Sequence, residues 1–233
     1  MQKGTLYLIP VPLAEEVTAK SFTPYLVETI NQIDTYIVEN SKTARHFLKE
    51  AGLKTPQKDL IVHDYGKHNR ENLGPFFKEL LEGKDVGLMS EAGCPGIADP
   101  GAEIVAEAHK KGIKVVPLVG PSSILLALMA SGFNGQSFTF WGYLPIDKEQ
   151  RSKRIKDLEI SATRYKQTQL FIETPFRNNQ MLENILKSCK GNTQLCIACN
   201  ITADDEFIKT QTIAQWRKEE IDLHKKPAIF LLF

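Results

Sequence analysis

The stretch that most constrains this chain is Asp85-Val86-Gly87-Leu88-Met89-Ser90-Glu91-Ala92-Gly93-Cys94-Pro95-Gly96-Ile97-Ala98-Asp99-Pro100-Gly101. It begins as a short apolar strand. It becomes a loop with three Gly and two Pro across residues 93–101, then continues from Ala102 as a helix. Open α/β sheets bind ligands outside the carboxyl ends of their strands. Glycine there lets backbone approach a ligand closely or take a positive φ. Most βα connections need only about 2–6 residues. A loop of this length and composition therefore reads as a ligand crevice, with a tight connection as the plainer alternative.

The rest of the chain supplies a sheet for that loop to belong to. Thr5 to Pro10 is an apolar run suited to a buried parallel strand. Apolar residues at Leu26, Val27, Ile30 and Ile33 predict a helix over 24–33, and Thr35 to Glu39 predicts a second strand. Ser41 is the expected N-cap of a helix over 42–51, stopped by Gly52. Leu60 to His63 is a third strand, followed by a polar loop over 64–72, a helix over 75–81 and the opening stretch. A helix over 102–111 leads to a fifth strand at 113–118. Five strand–helix alternations predict a parallel sheet with helices on both faces.

After the turn Val119-Gly120-Pro121-Ser122-Ser123, an almost wholly apolar helix is expected over 124–131 and, from that composition, buried all round. Strands follow at 138–142, 169–173, 193–199, 210–213 and 227–233, with helices at 181–189 and 213–220. The less regular alternation predicts a second α/β domain, giving domains of 1–117 and 118–233. The run from Lys148 to Lys166, with Asp147 just before it, mixes seven basic with four acidic residues. It reads first as a solvated helix face, with an anionic-partner site as the alternative.

At 233 residues the chain can bury a sizeable core without disulfides, and its net charge of +1 supplies no global field toward nucleic acid or membrane. No apolar run reaches the length of a membrane span, no signal peptide is visible, and a cytoplasmic protein is expected. Cys196-Ile197-Ala198-Cys199 has C-x-x-C spacing, but residues i and i+3 of a strand face opposite sides, so core packing is expected and no metal. Cys94 reads as a small loop-lining residue. His63 and His68 stand near the end of the third strand as a base or surface pair. Asp99 is expected to cap the following helix, or Pro100 to occupy its first turn. The phosphate loop, nucleophile-elbow, zinc-protease and kinase motifs are absent.

Gly4-Thr5-Leu6-Tyr7-Leu8-Ile9-Pro10, the Ser90–Gly101 loop, Pro117 to Ser123, Gly142-Tyr143-Leu144-Pro145 and Phe171 to Arg177 occur in the order seen in the tetrapyrrole methylase superfamily. The chain most resembles the branch that methylates a ribose 2′-hydroxyl in small-subunit rRNA. The resemblance implies two α/β domains, a parallel-sheet N-terminal one and a mixed-sheet C-terminal one, with S-adenosylmethionine in the cleft between them, and a homodimer. By motif position it implies cofactor contacts at Pro10, at Ser90, Glu91, Ala92, Gly93, Cys94 and Ile97, and at Ser122 and Ser123. In the second domain it implies Ile172, Glu173, Asn200, Ile201, Pro227 and Ala228. Glu39, His68, Asn69 and Arg177 are the candidates for handling substrate.

This chain departs from that branch where substrate would be handled. Val11 to Glu15 stands where a Gly-Asn pair is usual, and Glu39-Asn40-Ser41-Lys42 where Glu-Asp-Thr-Arg is usual. Lys67 to Glu71 keeps part of a His-x-His-Asn-Glu segment, and Ala198 to Thr202 replaces Ala-Arg-Glu-Leu-Thr. The expected function is a methyltransferase with rRNA or the ribosomal subunit as partner. A tetrapyrrole or other small-molecule acceptor, and a non-catalytic cofactor-binding protein, are the alternatives.

Overall fold

A computed structural model describes residues 2–15, 18–65 and 73–233. The chain forms two units, Met1–Ser122 and Ser123–Phe233. The first contains, in order, β1 (Thr5–Ile9), α1 (Thr18–Ser21), α2 (Pro24–Ile30), β2 (Thr35–Val38), α3 (Ser41–Glu50), β3 (Ile61–Asp64), α4 (Lys78–Leu81), β4 (Val86–Met89), α5 (Ala102–Lys110) and β5 (Lys114–Pro117). The second contains α6 (Ser123–Ser131), β6 (Phe138–Tyr143), α7 (Lys148–Tyr165), β7 (Thr168–Ile172), α8 (Asn178–Ser188), β8 (Gln194–Cys199), β9 (Phe207–Thr212), α9 (Ile213–Trp216) and β10 (Ala228–Leu232).

The sheet of the first unit has the order β3-β2-β4-β1-β5, and every pair in it is parallel. Its strands are apolar on both faces because both faces are covered. On one face Ile9, Tyr36, Val38 and Met89 pack with Leu26 and Ile30 of α2 and with Phe47 and Leu48 of α3. On the other, Leu6, Ile37, Val86 and Leu88 pack with Leu80 of α4 and with Ile104 and Ala108 of α5. The turn after β5 stays with this unit: Leu118 N donates to Leu8 O at 2.9 Å, and Gly120 lies against Pro10.

The sheet of the second unit has the order β6-β7-β10-β8-β9, with β6 and β7 parallel and the remaining pairs antiparallel. Phe171, Leu195, Ile197, Phe230 and Leu232 form one core with Ile155 and Leu158 of α7, Met181 and Ile185 of α8, and Trp216. The indole of Trp216 donates to Leu195 O at 2.9 Å. The other face of the sheet carries α6. Cys199 lies in the α7–α8 core while Cys196 does not, so the two sulfurs diverge along β8 as strand geometry requires.

Local chemistry shifted several expected boundaries. Asn40, not Ser41, is the N-cap of α3, and its side chain accepts from Lys42 N at 2.9 Å. Gly101, not Asp99, precedes α5, so neither Asp99 nor Pro100 caps or opens that helix. The helix expected over 75–81 begins as a 3₁₀ turn at Gly74–Phe77 before α4. The helix expected over 181–189 begins at Asn178, the one over 213–220 is confined to α9, and the strand expected over 210–213 runs over 207–212. Helix α6 is not buried all round: Ile124, Ala127 and Leu128 are covered, while Leu125 and Met129 are exposed.

One glycine is set by close packing inside the first sheet. Gly87 of β4 lies opposite Tyr7 of β1 and Tyr36 of β2. A Cβ there would stand 2.6 Å from Ile9 Cδ1 and 2.8 Å from Tyr36 Cδ1. The Tyr36 ring cannot yield easily, because it is fully buried and its hydroxyl donates to Ile30 O at 2.8 Å and Ile33 O at 3.0 Å. Gly87→Ala is expected to lower unfolding stability by about 1–3 kcal/mol through overpacking. Urea unfolding of the two proteins measures it, and equal midpoints would contradict this packing.

Candidate functional site

Parallel pairing puts the carboxyl ends of β1, β2, β4 and β5 on one edge of the first sheet. The residues that follow them are Pro10, Glu39, Ser90 and the 118–122 turn. At this edge the two loops from the neighbouring strands β1 and β4 are joined by backbone. Val11 N donates to Gly93 O at 2.9 Å and Gly93 N to Val11 O at 3.0 Å. Gly93 has φ +71°, and a Cβ there would lie 3.2 Å from Leu13 Cδ2 and 3.5 Å from Pro121 O. Gly120 packs still more closely: its Cβ would stand 2.3 Å from Pro10 Cβ. The sequence has thus removed side chains where three loops come together.

Within the Gly/Pro loop, Ser90 is buried and its hydroxyl turns inward, 3.3 Å from Ala92 O. It braces the loop. The Cys94 thiol donates to Pro121 O at 3.4 Å, and burial pushes its pKa up, so it is a spacer between loops and no thiolate nucleophile. Ala92 and Ile97 are exposed, as a ligand-facing rim would be. Glu91 accepts from Thr43 Oγ1 of α3 at 2.6 Å, a partner the sequence did not reveal.

Asp99 is the group that sequence reasoning misplaced. Its carboxyl is partly buried, and burial together with the charges of Glu39 and Glu91 pushes it up to about 6. Glu39, a substrate-side candidate, is therefore brought beside Asp99 and Glu91 at the carboxyl edge. His68 and Asn69 lie outside the described residues. His63 lies on β3 itself, with Nε2 3.4 Å from Glu79 Oε2 and its ring edge-on to Phe76.

In the second unit, register gathers the other expected residues. Ile172 pairs with Ile229, and Cys199 pairs with Ala228, so the end of β7, the start of β10 and the end of β8 share one edge. Asn200 N donates to Pro227 O at 3.0 Å, and Asn200 has φ +49°, a left-handed turn that directs the chain away from the strand. Its side-chain amide donates to Asp205 Oδ2 at 2.7 Å. Ile201 is buried. Ser123 opens α6.

Glu173, just after β7, is buried. Its Oε1 accepts from Thr174 N at 2.6 Å and from Arg177 Nη2 at 2.6 Å and Nε at 3.1 Å. Its Oε2 is buried with no hydrogen-bond partner. A buried carboxylate oxygen without a donor is costly, and a ligand N–H or O–H at this edge would satisfy it. Arg177, a substrate-side candidate, is thus tied to a cofactor candidate by a charge-assisted pair.

The raised Asp99 carboxyl has a sign that can be checked. Its folded pKa lies above the ordinary value, so its favourable contribution is full below the unfolded pKa and is lost as pH rises through about 6. Asp99→Asn removes a carboxylate held between two others. The variant is expected to melt above wild type at pH 8, with the gain shrinking as pH falls from 6 to 4. Thermal melts across that range test it, and a gain independent of pH would refute the assignment.

Comparison with known proteins completes the picture. The family described as Tetrapyrrole (Corrin/Porphyrin) Methylases matches residues 5–216. The chain is 32% identical over 223 residues to the ribosomal RNA small subunit methyltransferase I of Halalkalibacterium halodurans, covering 93% of this chain and 72% of that one. It is 30% identical over 232 residues to the protein of the same name from Vibrio cholerae, covering 97% and 76%. The crystal structure of the methyltransferase CobJ superposes with a TM-score of 0.63 at 18% identity, over 98% of this chain and 93% of that one, a likeness of fold. The chain belongs to the tetrapyrrole methylase family and is a methyltransferase that works with a methyl-donor cofactor.

Proposed function

We propose that the donor is S-adenosylmethionine and that the acceptor is a ribose 2′-hydroxyl of small-subunit rRNA. The observation that carries this reading is the match, over nearly the whole chain, to proteins named ribosomal RNA small subunit methyltransferase I. The donor would be held on the first unit by Pro10, Ser90 to Cys94, Ile97 and Ser122. On the second unit Ser123, Ile172, Glu173, Asn200, Ile201, Pro227 and Ala228 would contribute.

The residues suit that donor. Gly93 and Gly120 leave backbone where a Cβ would collide or crowd, which favours recognition through main-chain groups. The Glu173 Oε2 oxygen needs a donor, and an amino or hydroxyl group on the ligand supplies one. The carboxylates of Glu39, Glu91 and Asp99 favour a cationic ligand at the carboxyl edge. Bound S-adenosylmethionine supplies a methyl group already activated on a sulfonium sulfur. What remains for the protein is alignment of the acceptor oxygen, a positioning effect. Among the described residues no helix is long and apolar enough to cross a membrane. With these bacterial relatives, that favours action in the cytoplasm. We also infer a homodimer, for which the exposed Leu125 and Met129 face of α6 offers apolar surface.

Calorimetry with S-adenosylmethionine tests the donor; absence of binding at millimolar concentration would overturn it. Incubating small ribosomal subunits from a strain lacking this protein with the purified protein and labelled donor tests the acceptor. One 2′-O-methylated nucleotide is expected, and label entering a tetrapyrrole and not rRNA would replace the reading with a small-molecule one. Glu173→Gln places an amide N–H where an acceptor is needed. It is expected to weaken donor binding about tenfold, near 1.4 kcal/mol; unchanged affinity would remove Glu173 from the site.

A further inference from the structure

Helices α7 and α8 pack side by side in the second unit. Between them, beside the turn Pro175–Arg177, opens a cavity of about 370 Å³ lined by Lys148, Arg151, Arg177, Gln180, Glu183 and Asn184 among others. Arg151 is 5% exposed. Its Nη1 donates to Ile146 O at 3.1 Å, but its Nε is buried with no hydrogen-bond partner. A guanidinium carries five N–H donors and keeps its charge at any working pH. Burying it against a single neutral carbonyl is unfavourable unless an anion completes its shell.

The surrounding charges do not supply that anion. Glu183 pairs with Lys187 at 3.3 Å, and Glu173 with Arg177 at 2.6 Å. Among the described residues, no carboxylate stands within ion-pair distance of Lys148 or Arg151. Both cations also occupy the first turn of α7, where the helix dipole disfavours positive charge. Next to this cavity, and sharing Lys148, a second hollow of about 480 Å³ is lined by Glu149, Ser152, Lys153 and Lys156, three lysines against one carboxylate. Lys148 and Lys156 lie ~12 Å apart along the helix axis, room for more than one phosphate. Arg154 is engaged elsewhere, its guanidinium 4.0 Å from the Trp141 ring centroid.

We propose that the α7–α8 cavity is a phosphate site for the RNA backbone, with Arg151 as its anchor and Lys148, Lys153 and Lys156 following the strand outward along α7. A planar guanidinium matches a phosphate through paired N–H bonds, and exposed lysines spaced along one helix follow a backbone without reading sequence. Arg177 lines the same cavity and binds Glu173, which links the phosphate to the end of β7. The inference rests on the rRNA reading and assigns where that RNA is gripped.

The test uses the full chain and a fluorescein-labelled single-stranded RNA, titrated across a salt series. Lys148→Glu/Lys153→Glu is expected to weaken RNA binding at least tenfold at low salt. The slope of log affinity against log salt should shrink by about 0.7 for each phosphate the variant no longer neutralises. Donor binding by calorimetry and the melting temperature should stay as in wild type. Lys190→Glu/Lys218→Glu makes the same change in net charge elsewhere on the unit and is expected to have the smaller effect. Arg151→Gln should act like the first pair, and its melt shows whether it folds; the two exposed lysines decide the matter if it does not. If wild type methylates rRNA but the two lysine pairs behave alike, the phosphate site is wrong and the function stands. If wild type neither binds RNA nor methylates it, the rRNA reading falls and takes this site with it.

Discussion

Strand polarity is the constraint on which the rest depends. In a sheet whose strands all run one way, every carboxyl end must lie on the same edge. Pro10, Glu39, Ser90 and Ser122 are far apart in sequence, yet parallel pairing delivers their loops to one place. Both faces of that sheet are occupied by helices, so this edge is where backbone is left unpaired and open to a ligand. The glycines follow from the crowding. Where the 118–122 turn crosses Pro10, there is no space for even one added carbon at Gly120.

The second unit gathers its residues by a different route. Its central strands are antiparallel, so one edge holds strand ends and a strand start together. Glu173 and Asn200 leave β7 and β8 there, and Pro227 enters β10. No single loop in that unit has the composition of the Gly/Pro stretch. Its contribution was legible only through the ordered set of motifs, because register, which brings Ile172, Ala228 and Cys199 into line, is not written in any one segment.

Apolar runs bounded by Gly and Pro made both sheets readable, since buried strands and their turns have strong local signatures. Effects that depend on distant partners were not readable. Ser41 and Asn40 are both good capping residues, and only the turn geometry selects Asn40. Asp99 looks like a cap in a linear reading, but Pro100 and Gly101 carry it away from α5 and leave it beside Glu39 and Glu91. Arg151 is one of many charges on α7, and its burial follows from where α8 lies. Composition likewise overstated the burial of α6, because an apolar helix needs only one covered face to be held in place.

The bridge between Val11 and Gly93 bears on how such an enzyme diverges. Both of its bonds run from main chain to main chain. They ask of residue 11 only that it keep an N–H, whereas at residue 93 the positive φ still favours glycine. Val11 is also buried in the core of the first unit, so the first loop is pinned at that point by side chain as well as by backbone. Side chains beyond Val11 can change without altering the spacing of the two loops, because the bonds that set it are made by main chain alone.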